Sequence, residues 1–185
     1  MTSSLIILQG GEDVKERTNR TMFTFIARTS RTKKVLVIPW TSESKRKENQ
    51  YREIYRGYFL NIGFEKVLFL EKDDSVTEMD NKFSVADVVY LPGGDPEILK
   101  KEIEKLSIQK KLKRFNGTII GNSAGAIVLS RGGEADGKFY EGFGLVDIYV
   151  KVHFNFKSDK LESSKEGSVI GIPEDGWIAI QSTSS

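Results

Sequence analysis

Thr118-Ile119-Ile120-Gly121-Asn122-Ser123-Ala124-Gly125-Ala126-Ile127-Val128-Leu129 is the stretch on which the fold turns. Its first three residues are a short β-branched run, which reads as a strand. Gly121 closes that run, and the apolar residues from Ala126 to Leu129 resume after Gly125 as a buried helix would. Between them, glycines two before and two after Ser123 relieve crowding in a tight turn, so that the serine side chain is pushed out of the sheet edge.

Four runs of the same kind precede this one. Leu5 to Leu8 ends at Gly10-Gly11, Val35 to Ile38 at Pro39, Val67 to Leu70 in charged residues, and Val88 to Leu91 at Pro92-Gly93-Gly94. Continuous apolar runs bounded by Gly and Pro are the pattern of strands buried on both faces. The segments between them are long enough for helices. Residues 45 to 60 carry Tyr51, Ile54, Tyr55 and Phe59 at helical spacing. A second helix is expected from Pro96 to about Arg114, with Asp95 as N-cap and Pro96 at the first helical position. Strand and helix alternating at least four times predicts an α/β fold: a doubly wound, mostly parallel sheet with helices on both faces. No repeat, low-complexity tract or linker divides the chain, so a single domain over residues 1–185 is expected.

Composition removes several kinds of chemistry. The 185 residues contain no cysteine and one histidine, His153. Disulfides, cysteine-ligated zinc and a cysteine nucleophile are excluded, and so is a multi-histidine metal site. No metal or cofactor is therefore expected. His153 is the one side chain whose unperturbed pKa lies near neutrality. The net charge of +2 arises from 28 basic and 26 acidic residues mixed along the chain, which gives no field for a nucleic acid. The basic run Lys110, Lys111, Lys113 and Arg114 reads as a solvated helix face. The apolar stretch Leu5 to Leu8 is too short for a signal peptide or membrane span, so a cytoplasmic location without membrane partners is expected.

Function in a doubly wound sheet collects where the strands end. Gly121-Asn122-Ser123-Ala124-Gly125 is a G-x-S-x-G elbow in strand-turn-helix context, which makes Ser123 a candidate nucleophile. The N–H of Ala124 would supply one oxyanion donor, and the Gly93-Gly94 turn before the next helix a second, from Gly94. A serine needs a base, and His153 is the conventional one present. From Val146 to Phe156 apolar and polar residues alternate, which reads as a strand with His153 on its open face. A third, acidic group would orient the imidazole. Downstream candidates are Glu134, Asp136, Asp147, Asp159, Glu162, Glu174 and Asp175. Asp147 shares a strand face with His153 but lies six residues away, about 20 Å along an extended chain, too far for contact. Glu174 sits between Val169 to Pro173 and Gly176 to Ile180, which reads as the tip of a hairpin. Spacing alone does not choose it over Glu134 or Asp136.

Taken together, Gly10-Gly11, Leu91-Pro92-Gly93-Gly94-Asp95, Gly121 to Ala126, Val152-His153-Phe154 and Gly171-Ile172-Pro173-Glu174-Asp175 resemble the peptidase E and cyanophycinase family of serine peptidases. The order and spacing of these motifs cover nearly the whole chain. The resemblance implies a fold similar to class I glutamine amidotransferases with serine in place of their cysteine, and hydrolysis of peptide or isopeptide bonds beside an aspartate. It implies Ser123 as nucleophile, His153 as base, Glu174 as acid, and Gly94 and Ala124 as oxyanion donors. An acid shortly after the elbow has also been given a triad role in that family, and Glu134 or Asp136 would be its counterpart. The family's specificity arginines after the His-Phe pair are absent; Lys157 and Lys160 stand there, and a lysine cannot grip a carboxylate bidentately. The expectation is a serine-type peptidase of short peptides, monomer or homodimer, with Lys157 or Lys160 meeting an acidic group of the substrate. Two other readings are a non-catalytic domain binding a small anion at its helix N-termini, and an esterase using the same three residues.

Overall fold

In the computed structural model, which describes residues 3–161 and 167–183, the five apolar runs are the parallel strands of one sheet. They are β1 (Ser3–Gln9), β2 (Lys34–Val37), β3 (Lys66–Phe69), β4 (Val88–Leu91) and β5 (Thr118–Asn122). Their order is β10-β1-β5-β4-β2-β3, with the edge strand β10 (Trp177–Thr183) antiparallel to β1. Alternate residues of each run feed opposite cores. Ile6, Leu8, Leu36, Val89, Leu91 and Ile119 pack on one side, and Ile7, Val35, Val37, Val88, Tyr90 and Ile120 on the other. Both faces being covered explains why the runs are continuously apolar instead of alternating.

On the second of those faces lie α1 (Arg20–Thr29) and α2 (Lys45–Asn61), which bury Phe23, Tyr55, Tyr58 and Phe59. The opposite face is covered by α3 (Val76–Val85), α4 (Pro96–Lys105), α5 (Ile108–Arg114) and α6 (Ala124–Leu129). Asp95 caps α4 by accepting from the N–H groups of Glu97 (2.8 Å) and Ile98 (3.1 Å), with Pro96 in the first turn. The helix expected to run on to Arg114 is two helices. Ser107 adopts φ +55, which ends α4 and redirects the chain so that Ile108 and Leu112 reach the core.

A second sheet follows α6. It holds β6 (Gly132–Ala135), β7 (Lys138–Glu141), β8 (Tyr149–Lys151) and β9 (Val169–Gly171), in the order β7-β6-β8-β9. Two expectations are corrected here. The strand read from Val146 to Phe156 is three residues long. Val146, Val150, Val152 and Phe154 are buried as the alternation requires, but so is Tyr149, and Phe156 is exposed. The chain leaves β8 after Lys151 and turns at His153, which has φ +53. Residues 169–180 are likewise not a hairpin: β9 pairs with β8 in the second sheet, and β10 pairs with β1 in the first. Glu174 therefore sits on a link between sheets. No helix among the described residues is long and apolar enough to cross a membrane.

Candidate active site

Strand β5 lies between β1 and β4, and the three end level, with Gln9 opposite Asn122 and Leu91 opposite Gly121. Their exits, Gly10-Gly11, Ser123 and Gly93-Gly94, thus stand side by side at the carboxyl edge of the sheet, the edge where such folds place ligands. Ser123 takes φ +49 and ψ −104, a backbone conformation that costs an L residue about 1–3 kcal/mol and persists only where neighbours enforce it. Here the Ser123 N–H donates to the Gln9 carbonyl (3.0 Å), and the Ser123 carbonyl accepts from the Ile127 N–H (3.1 Å) at the start of α6. A Cβ on Gly121 would lie 2.5 Å from the Gly125 carbonyl, so the turn closes only with glycine on its inner side.

The turn after β8 carries His153 over this serine. Its Nε2 is 2.8 Å from Ser123 Oγ, and its Nδ1 is hydrogen-bonded to Glu174 Oε2. An ionised carboxylate only accepts, so the proton of the neutral imidazole is on Nδ1, and Nε2 is left to accept from the Ser123 hydroxyl. Three turns remote from one another in sequence thereby join their side chains in one hydrogen-bonded series. The backbone around it is strained: His153 at φ +53 and Asp175 at φ +60 stand beside Ser123 in the left-handed region.

The other candidate acids are held differently. Glu134 pairs with Lys151 (3.1 Å), Asp147 with Arg131 (3.2 Å), and Asp159 accepts from the Asn155 N–H (2.9 Å). Asp136 sits in the β6–β7 turn at φ +51 and reaches the cavity, whereas the carboxylate on the His153 ring is that of Glu174. Glu162 is outside the described residues.

Around the serine is a cavity of about 490 Å³. Gly93 and Gly94 form one wall, close enough that a Cβ on Gly93 would stand 3.5 Å from Ser123 Cβ. The Asp95 N–H, donating to the Thr41 carbonyl (3.1 Å), fixes that turn against the exit of β2. Ala124 is the first residue of α6, and N–H groups of a first helical turn have no partner inside the helix. Carboxylates outnumber lysine along the lining: Glu12, Glu48, Asp95, Asp136 and Glu174 against Lys47. Lys157 and Lys160 are on the segment after His153 and are not among the lining residues. Among the described residues, no three His, Asp or Glu side chains are grouped as ligands for a metal ion.

Glu12 is the residue that sequence reasoning passes over. Burial is the main cause that pushes its carboxyl above the usual range, opposed by hydrogen bonds from Tyr58, the Asn19 N–H and Gln9. Burial, and then the Glu12 charge, push the Tyr58 hydroxyl up as well. The one signal in the sequence is an acid placed directly after a Gly-Gly strand exit.

Comparisons with known proteins bear on the family and the fold. The family model for peptidase family S51 matches residues 5–185. Among solved structures, the chain is similar to a peptidase from an acI-B1 Actinobacterium, with 22% identity and a TM-score of 0.71 over 98% of this chain and 85% of that one. It is also similar to a proposed peptidase E protein from Listeria monocytogenes EGD-e, with 20% identity and a TM-score of 0.72 over 98% of this chain and 96% of that one. At such identities the structural likeness speaks for the fold. No curated protein matches the sequence.

Proposed function

The chain belongs to peptidase family S51, and from that premise we propose that it is a serine peptidase of short peptides in which Ser123, His153 and Glu174 are the catalytic triad. The observation that carries the reading is the continuous contact from Ser123 Oγ to His153 Nε2 (2.8 Å) and from His153 Nδ1 to Glu174. In the reaction, Ser123 Oγ attacks the scissile carbonyl carbon while its proton passes to Nε2. The carbonyl oxygen becomes an oxyanion facing the N–H groups of Gly94 and Ala124. The C–N bond then breaks, and the imidazolium returns its proton to the leaving amine. A water repeats the same steps on the acyl-enzyme and releases the acid and free Ser123. Glu174 stays ionised throughout, keeping the imidazole in its Nδ1–H tautomer and stabilising the imidazolium.

The cavity's charge bears on the substrate. A peptide carrying an acidic group beside the scissile bond would bring a further carboxylate among Glu12, Asp95 and Asp136. Short peptides without that extra negative charge fit the lining better. Family resemblance alone favours the aspartate.

A fluorophosphonate probe tests the chemistry. It labels Ser123 in the folded wild type and fails to label Ser123→Ala, while a peptide library followed by mass spectrometry shows cleavage that both Ser123→Ala and His153→Ala abolish. Absence of labelling in folded wild type, with Ser123→Ala equal to wild type on the library, would sink the enzyme reading. Cleavage of aryl esters without any peptide turnover would make the protein an esterase.

A further inference from the structure

Three successive carbonyls, from the last residue of β1 onward, each hold a different part of the proposed triad. The Gln9 carbonyl accepts from the Ser123 N–H (3.0 Å), the Gly10 carbonyl from the His153 N–H (2.9 Å), and the Gly11 carbonyl from the Asp175 N–H (3.0 Å), next to Glu174. The strand fixes one end of this short loop. Its middle is Gly10-Gly11, which has no side chains to hold it, although the Gly10 N–H donates to the Gly176 carbonyl (3.0 Å). At the far end stands Glu12, the residue that anchors the loop by its side chain. Its Oε1 accepts from the Tyr58 hydroxyl (2.6 Å) and the Asn19 N–H (3.1 Å), and its Oε2 from Gln9 Nε2 (3.3 Å).

We propose that Glu12 is a positioning residue: tied to Tyr58 of α2 and to Asn19, it fixes the 9–12 loop whose carbonyls hold the backbones of Ser123, His153 and the Glu174 link in register. The proposal rests on the reading of those three residues as the triad. Two further observations join it. His153 and Asp175, which the loop holds, both have positive φ, a state that survives only where the surroundings over-determine it. Tyr58 is itself braced by ring contacts with Phe23 (5.4 Å) and Phe59 (5.4 Å), so the anchor is part of the core beneath the sheet edge. A carboxylate suits this post because it accepts from three donors at once, where an amide offers one oxygen.

The test compares Glu12→Ala, Glu12→Gln and Tyr58→Phe with wild type in peptide turnover, and by NMR of protein labelled with [15N]histidine, whose imidazole signals come from His153 alone. In Glu12→Ala, kcat is expected to fall on the order of 10²-fold with KM little changed, the scale of loss that follows from misplacing a reacting group by about 1 Å. The His153 signals should shift from a fixed Nδ1–H imidazole toward an averaging one. Glu12→Gln, which keeps an oxygen for Tyr58 and Asn19, should recover most of the lost turnover. Tyr58→Phe keeps the ring contacts and should lower kcat in the same direction, so the idea remains testable if Glu12→Ala does not fold. A rise in KM with kcat unchanged would make Glu12 a substrate contact and overturn the proposal, as would wild-type His153 signals in Tyr58→Phe and Glu12→Ala. The NMR comparison stands whether or not any peptide is cleaved, so failure of the triad reading is read separately, from the fluorophosphonate label on wild type.

Discussion

The site has two halves built by different rules. The half that holds the proposed nucleophile, Ser123 with the glycine exits of β1 and β4, belongs to parallel strands that end level in one sheet. The half that holds the proposed base and acid, His153 and Glu174, sits on two turns at the border of the second sheet, one after β8 and one between β9 and β10. In the first half, position follows from strand register and a five-residue turn; the strands pair across distant sequence, Gln9 opposite Asn122, but each is signalled by its own contiguous run. In the second, nothing local aims the side chains. His153 is brought over Ser123 by the Phe154 N–H donating to the Ile172 carbonyl (3.0 Å) and by its own N–H on the Gly10 carbonyl. Chemistry that depends on the second half should therefore be sensitive to the turns that hold it, while the first half depends on the paired strand ends, Gln9 among them.

The largest separation between the halves is expected from Glu174→Gln. The amide can donate to Nδ1 and so favours the Nε2–H tautomer, which can no longer accept the serine proton. Turnover should fall on the order of 10²- to 10⁴-fold, the lower end being favoured because both side chains are about half exposed. Glu134→Gln, which removes only the partner of Lys151, should leave turnover near wild type. Parallel assays of the two variants decide it: equal losses would mean that the acid was misassigned.

Gly11→Ala strikes the same half from the other side of the sequence. A Cβ there would press on the Glu174 carboxylate and stand 2.5 Å from His153 Cε1 and 2.6 Å from Nδ1, so the joined imidazole and carboxylate must shift from Ser123. A loss of about 10²-fold in kcat is expected. Labelling by a small fluorophosphonate should slow in proportion, since the same base activates the serine in both reactions. Unchanged kinetics would show that the ring relocates freely and that the loop does not set its place.

The same division separates what the sequence makes legible from what it hides. The five parallel strands, the cap at Asp95 and the Ser123 elbow are written in contiguous residues: apolar runs, Asp-Pro at a helix start, glycines two either side of a serine. The expected strand through His153 and the expected hairpin around Glu174 both fail for one reason. Alternation predicts a strand that continues past Lys151, but backbone pairing with Ile172 and Gly10 bends the chain there, and those partners are remote in sequence. Similarly, Gly171-Ile172-Pro173 and Gly176-Trp177 suggest two strands meeting at a tip. Which sheet each joins is decided by open edges, β8 for one and β1 for the other. Only resemblance singles out Glu174 among several acids, because a contact between two turns leaves no period in the sequence. Glu12 escapes notice because its partners, Asn19 and Tyr58, are 7 and 46 residues away.

The smallest effect is expected where the resemblance and the geometry part. Lys157 and Lys160 stand where related peptidases are expected to carry specificity arginines, yet both lie on the segment beyond His153 and neither lines the cavity. A solvated ammonium some distance from the bound peptide is screened by salt and water, so its pull on a substrate carboxylate is worth little. The double variant Lys157→Ala with Lys160→Ala should keep kcat/KM for neutral short peptides within about twofold of wild type, a difference of roughly 0.4 kcal/mol in transition-state binding. The decisive readout is the ratio of kcat/KM for a peptide with an acidic residue beside the scissile bond to that for its amide analogue. Because the lining carries Glu12, Asp95 and Asp136, this ratio should lie below one in wild type and stay there in the double variant. A ratio above one that collapses when the lysines are removed would instead mean that the 157–160 segment folds over the bound peptide and completes the site, extending the dependence of the second half on remote sequence to substrate choice itself.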